Sequence, residues 1–114
     1  MVKIYHNTRC KKSREALEYL KSKHSNIEII QYLKTPLQVE ELEELFRKLN
    51  KKPAEMIRKQ EQLFKTQFKG KDLSNKQWIE AIAENPKLLQ RPIVELNEKA
   101  VLGNPPENID SLFP

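Results

Sequence analysis

The strand-forming residues of this chain are confined to its two ends. Val2–Tyr5 is a short apolar strand, and Ile27-Glu28-Ile29-Ile30-Gln31-Tyr32-Leu33 is β-branched and apolar. Between them, Ser13 to Leu20 carries Ala16, Leu17 and Leu20 on one helical face. A β-α-β opening predicts two parallel strands joined by a right-handed crossover. Late in the chain, Pro92-Ile93-Val94-Glu95 and Ala100-Val101-Leu102 flank Leu96-Asn97-Glu98-Lys99, the pattern of an antiparallel hairpin. Together these predict an α/β fold with a small mixed four-stranded sheet covered by helices. The whole chain, 1–114, is expected to be one domain, with residues 36–90 as a helical insertion within it.

The insertion carries clear helix signals. Thr35-Pro36-Leu37-Gln38 offers an N-cap threonine, proline at the first helical position and glutamine at the third. Leu42, Leu45, Phe46 and Leu49 then recur at helical spacing. Pro53 can start a short helix, and Leu63, Phe64 and Phe68 follow before Gly70. Ser74-Asn75-Lys76-Gln77 repeats the capping box ahead of Trp78, Ile79 and Ile82, and Asn85-Pro86 ends that helix. Gly103-Asn104-Pro105-Pro106 reads as a turn, with a last helical stretch to about Leu112.

Twenty-one Lys and Arg against sixteen Asp and Glu give a net charge of +5. The excess is local: residues 47–71 hold nine cations and only Glu55 and Glu61 as acids. Such a face attracts anions or is simply a solvated helical surface. Aromatic residues are not interleaved with these cations in a stacking pattern, which weighs against nucleic acid as a partner. Met1-Val2-Lys3-Ile4-Tyr5 leads straight into a strand, and no apolar run is long enough for a bilayer. A cytoplasmic setting with no membrane contact is expected. The single cysteine excludes an internal disulfide, and no metal site is expected.

That cysteine, Cys10, falls where the first strand gives way to the first helix. Arg9, Lys11, Lys12 and Arg14 surround it in sequence. A helix start and nearby cations both favour the thiolate, which is the nucleophilic form. The plain alternative is a small buried residue packed for its apolar character. In an open α/β sheet the carboxyl end of the first strand is also where chemistry is usually placed.

The pattern His6-Asn7-x-x-Cys10-x-x-Ser13-Arg14, then Tyr32-Leu33-x-Thr35-Pro36, Arg58 after Pro53, and Arg91-Pro92-Ile93-Val94 resembles the glutathione/glutaredoxin-coupled arsenate reductases, the ArsC family. The order and spacing hold over nearly the full length. The resemblance implies a thioredoxin-like fold with a helical insertion. It implies Cys10 as the nucleophile that attacks arsenate, His6 as a histidine favouring the thiolate, and Arg58 and Arg91 as oxyanion-binding arginines. Ser13 and Arg14 fall in the same loop and are expected to assist in binding. Pro92 matches the proline that follows a cis peptide bond facing the cysteine. Glutathione would be the co-substrate and glutaredoxin the partner, with no bound cofactor. The absence of a second cysteine agrees with an external resolving thiol.

Two positions depart from the family pattern. Asn104 stands where a third oxyanion-binding arginine is found, and an amide donates hydrogen bonds without supplying charge. Thr8-Arg9 replaces a proline and a small residue. Two other readings stay open at this point. One is an Spx-type regulator that binds RNA polymerase, although Cys10-x-x-Ser13 lacks the usual two-cysteine switch. The other is a glutathione-dependent monothiol oxidoreductase acting on a substrate other than arsenate.

Overall fold

A computed structural model describes residues 1–113. Two compact units make up the chain: residues 1–35 together with the segment from Arg91 onward, and Pro36–Gln90.

The first unit contains the sheet. Its strands are β1 (Val2–Tyr5), β2 (Ile27–Ile30), β3 (Ile93–Leu96) and β4 (Lys99–Leu102), in the spatial order β2-β1-β3-β4. β1 and β2 are parallel, with Val2 opposite Ile27 and Tyr5 opposite Ile30. β3 is antiparallel to both β1 and β4, with Ile4 opposite Val94 and Val94 opposite Val101. The sheet is therefore mixed, as the sequence predicts. Helix α1 (Lys11–Lys23) makes the crossover between the parallel strands.

Alternation along the strands sorts their residues by face. Val2, Ile4 and Val94 point to the side where Ala16, Leu17 and Leu20 of α1 pack, joined by Ile109 and Leu112 of the 3-10 helix Pro106–Leu112. Leu20 and Ile4 are fully buried here, and truncating either to alanine would cost about 2–5 kcal/mol. Tyr5 and Glu95 lie on the opposite face, where the Tyr5 hydroxyl donates to Glu95 Oε1 at 2.8 Å. This satisfies a buried carboxylate within a strand.

Pro36–Gln90 is helical, as expected. α2 (Val39–Leu49) packs Leu42, Leu45, Phe46 and Leu49 inward, and α4 (Asn75–Glu84) contributes Trp78, Ile79 and Ile82. α3 (Gln62–Gln67) brings Phe64 against Trp78, with ring centroids 6.3 Å apart. Ser74 caps α4 reciprocally with Gln77, at 3.1 Å and 2.9 Å. A single bridge, Ile57 to Leu89, pairs the segment after the 3-10 turn Pro53–Met56 with the end of this unit. Two backbone bonds reinforce it: Arg58 N–H to the Leu88 carbonyl at 2.7 Å and Gln90 N–H to the Met56 carbonyl at 2.8 Å.

Several boundaries differ from the sequence reading, three of them near the first helix and the entry to the helical segment. β2 stops at Ile30 rather than running to Leu33, because the Gln31 carbonyl accepts from both Lys34 and Thr35 N–H at 3.0 Å and closes a turn. α2 therefore starts later than Pro36. Its N-cap is Gln38, whose N–H donates to Glu41 Oε1 at 3.0 Å. Finally, α1 begins at Lys11, two residues before the expected Ser13.

Candidate active site

The first unit brings together one end of the sheet and the start of α1. After Tyr5, the His6 N–H extends the parallel ladder to the Ile30 carbonyl at 2.9 Å. The chain then turns through Asn7-Thr8-Arg9. The turn is held by Cys10 N–H to the Asn7 carbonyl at 3.1 Å and Arg9 N–H to Asn7 Oδ1 at 3.0 Å. Cys10 becomes the N-cap of α1, and its own carbonyl accepts from Arg14 N–H at 3.0 Å.

The Cys10 sulfur is half-buried. Burial pushes the thiol up. Burial is the largest single influence, but the Ser13 N–H, the Arg91 guanidinium through a hydrogen bond and its charge, and the Lys12 N–H together outweigh it. The net result is a thiol held below its ordinary value. The cations nearest in sequence do not account for it. Arg14 is exposed and its Nη1 donates to the Thr8 carbonyl at 3.0 Å, bracing the loop. Arg9 is exposed as well. The charge that reaches the sulfur comes from Arg91, at the far end of the sequence, because β3 lies beside β1.

His6 also differs from its expected role. It is buried and its Nδ1 lies 2.6 Å from Ser13 Oγ. The same Oγ accepts from the Asn7 N–H at 3.0 Å. Burial, then the charges of Lys21 and Arg14, hold the imidazole below its ordinary value of 6.5. A neutral ring supplies no cation to a neighbouring thiolate. Ser13 is fully buried and acts as the peg between ring, loop and helix start.

Arg91 carries the most informative atom of the site. Its Nε is buried and has no hydrogen-bond partner, the one such side-chain atom among the described residues. A buried donor of this kind is costly unless something accepts from it. The next peptide bond, Arg91–Pro92, is cis, and so is Asn104–Pro105. The Gly103 N–H donates to the Pro92 carbonyl at 2.8 Å, continuing the ladder that pairs Ile93 with Leu102. Arg91 and Asn104 are the residues just beyond this end of the ladder. Asn108 Nδ2 fixes the turn from the other side, donating to the Leu102 and Asn104 carbonyls at 3.1 Å and 3.3 Å. Gly103 is needed for close approach: a Cβ there would sit 3.2 Å from Pro92 Cγ.

Arg58 belongs to the other unit. Its Nη1 donates to Glu61 Oε2 at 2.5 Å, and both side chains are largely buried, 17% and 23% exposed. Sequence reading missed that carboxylate partner, although Glu61 follows Arg58 at three-residue spacing. It also missed the Tyr5–Glu95 pair, for which the only signal was a strand glutamate among apolar residues. Among the described residues, no cluster of His, Cys, Asp or Glu could hold a metal, and no helix is long and apolar enough to cross a membrane.

A four-stranded mixed sheet with a cysteine-bearing loop at the start of its first helix, beside the strand that Pro92 leads into, belongs to the thioredoxin-like class. Within it, the chain belongs to the ArsC family, whose sequence pattern matches residues 5–112. It is 42% identical to an arsenate reductase of Neisseria meningitidis, over 98% of this chain and 97% of that one. An uncharacterised Escherichia coli protein, YfgD, is 44% identical over 95% of this chain and 92% of its own length. The solved structure of an arsenate reductase from Vibrio cholerae superposes with a TM-score of 0.93 at 40% identity, covering 98% of this chain and 97% of that one. The protein is thus arsenate reductase-like in sequence and in fold.

Proposed function

We propose that this protein is a thiol-dependent reductase of arsenate or a close tetrahedral oxyanion, with Cys10 as nucleophile. The observation that carries the reading is Arg91, which lowers the Cys10 thiol while its own buried Nε lacks an acceptor. An oxyanion next to the sulfur would satisfy that donor. The Arg91 charge and the N–H groups at the start of α1 would offset its repulsion of the thiolate. Arg58 is the second oxyanion-binding guanidinium by resemblance alone. Arg14 and Ser13 hold the loop, and His6 positions it through Ser13.

The reaction runs in three balanced steps. The Cys10 thiolate forms an S–As bond, and one arsenate oxygen leaves as hydroxide, protonated to water. A second thiol, glutathione in this reading, attacks the Cys10 sulfur. An S–S bond forms, the S–As bond breaks, and its electron pair stays on arsenic, which passes from As(V) to As(III). A further thiol, supplied by glutaredoxin, attacks the glutathione sulfur of the mixed disulfide; the S–S bond to Cys10 breaks, Cys10 leaves as the thiolate, and glutathione passes to glutaredoxin as a new mixed disulfide. Such a cycle suits a reducing cytoplasm.

Asn104 favours a second reading. It follows Gly103, which is bonded to Pro92, at the position where the resemblance has a charge, so arsenate would be under-neutralised and another oxyanion or disulfide would become the better substrate. Arsenate-dependent NADPH oxidation, coupled through glutathione, glutaredoxin and glutathione reductase, tests both. Activity abolished by Cys10→Ser supports the enzyme. Asn104→Arg should then raise kcat/KM by roughly tenfold to several hundredfold. No turnover in either form removes arsenate as the substrate.

A further inference from the structure

The sheet ends on one side at β2, and that edge is open. β1 bonds to alternate residues of β2: Val2 N–H donates to the Asn26 carbonyl at 3.1 Å and His6 N–H to the Ile30 carbonyl at 2.9 Å. In such a parallel ladder the intervening residues, Ile27 and Ile29, turn their N–H and C=O groups outward. Among the described residues, nothing in the chain bonds to those outward groups. Natural edges are commonly blunted by charge, proline or a bulge. Here both outward-bonding residues are isoleucine, and Glu28 is the one charge in the strand.

The side chains single out the same edge. An apolar row, Val101-Val94-Ile4-Ile29, runs across all four strands on the face that packs α1. Ile4 and Val94 are fully buried, whereas Ile29, where the row meets the edge, is 43% exposed. The other large apolar residues left in solvent are Met1 and Leu33, at 65% and 38%. Met1 precedes Val2, which pairs with Ile27 at the start of β2, and Leu33 lies in the turn after the strand ends. The large exposed apolar residues among those described are therefore spread along one edge from end to end. Such a patch marks an interaction surface.

We infer that β2 pairs antiparallel with β2 of a second copy of this chain, joining the two sheets edge to edge. The strand's own pattern selects both the partner and the register. A two-fold axis through Ile29 sets Ile29 opposite itself, Glu28 opposite Ile30, and Ile27 opposite Gln31. Ile29 then exchanges both backbone bonds with its copy, and the apolar row continues unbroken into the second sheet. The antiparallel direction brings Met1, at one end of the edge, toward the Leu33 end of the other copy. Centring the axis on Glu28 instead would set two carboxylates directly opposite each other, which is unfavourable. A foreign strand would satisfy the backbone but not this symmetric pattern. The inference concerns the β2 edge and holds whatever reaction Cys10 performs.

The test reads the mass of the full chain and the place of its contacts. Light scattering should show a mass rising from 13.5 kDa toward twice that between about 10 µM and about 1 mM, the range of a small transient interface. Over the same range, hydrogen exchange should slow at the Ile29 N–H, while the Glu28 and Ile30 N–H groups, already bonded to β1, stay unchanged. In a mixture of labelled and unlabelled protein, a contact between Glu28 Hα and Ile30 Hα across copies should report the register. Ile29→Lys places a charge on an exposed side chain at the axis, so it should keep the fold and weaken association at least tenfold. The exchange and mixing measurements use the natural chain, so they decide the matter even if that variant misfolds. A mass fixed at 13.5 kDa, association that a folded Ile29→Lys leaves unchanged, or a dimer whose Ile29 amide exchanges as freely as in the monomer overturns the inference. Protection of Ile29 by a short Thr-Val repeat peptide, in a chain that itself stays monomeric, would assign the edge to a foreign strand and overturn it as well.

Discussion

Ser13→Ala is the sharpest probe of how the site loop is built. The hydroxyl is fully buried and has two partners, His6 Nδ1 at 2.6 Å and the Asn7 N–H at 3.0 Å. Alanine keeps the shape of the helix start but leaves both polar groups without a partner. An unsatisfied buried group costs about 1–3 kcal/mol, so two cost about 2–6 kcal/mol. Better helix propensity returns about 0.5 kcal/mol, and partial access of water to Asn7 lowers the sum further. A net loss of about 2–4 kcal/mol is expected, a large fraction of an ordinary domain's 5–15 kcal/mol. Urea unfolding should show a lower midpoint with an unchanged slope. A loss below about 1 kcal/mol would refute the argument, because water would then replace the hydroxyl and Ser13 would be no peg.

Other consequences are as direct. His6 is held below 6.5 by burial and two cations, so the unfolded state binds more protons than the folded one between the folded value and 6.5. Stability should be complete above 6.5 and fall as pH drops through the folded value; His6→Gln should flatten that acid limb of the urea midpoints, and an identical limb in both proteins contradicts it. Arg91→Gln removes a cause of the lowered Cys10 thiol, so the thiolate titration should move up and alkylation at neutral pH should slow. An unmoved titration would leave the Ser13 and Lys12 N–H groups as the sole cause. Gly103→Ala places a Cβ 3.2 Å from Pro92 Cγ and should cost about 1–2 kcal/mol in thermal or urea unfolding, whereas a raised Tm would mean the strand end gives way freely.

Sequence and structure agree where the signal is local. Val2–Tyr5, the Ser74–Gln77 cap and the hairpin around Asn97 depend on alternation and turn chemistry that a few residues contain. They part where two local patterns compete. Thr35-Pro36-Leu37-Gln38 and Gln38-Val39-Glu40-Glu41 both satisfy a capping pattern, and the turn on the Gln31 carbonyl decides for the second. The site divides in the same way. The place of Cys10 at a helix start was legible, since strand, loop and helix are adjacent in sequence. The source of its charge was not, because proximity in sequence favoured Arg9 and Arg14 while sheet pairing delivers Arg91. Resemblance named Arg91 but could not show the orphaned Nε or the carboxylate on Arg58.

The same ladder frames the proposal that Asn104 tunes substrate choice. Pairing of Ile93 with Leu102 fixes Gly103 against Pro92, with Arg91 and Asn104 next along the chain at this end of the hairpin. A side chain there shares the strand ends with the guanidinium that acts on the sulfur. An arginine at 104 would compete with Arg91 for the same oxyanion or join it, and either way would add charge that an amide lacks. The backbone around it is already committed, with Gly103 too close to Pro92 for a side chain and Asn108 holding the Asn104 carbonyl. Specificity in this chain can therefore change at one side chain while the frame that activates Cys10 stays fixed. For that reason Asn104, rather than any residue of the Cys10 loop, is the position to vary in testing the proposed oxyanion specificity.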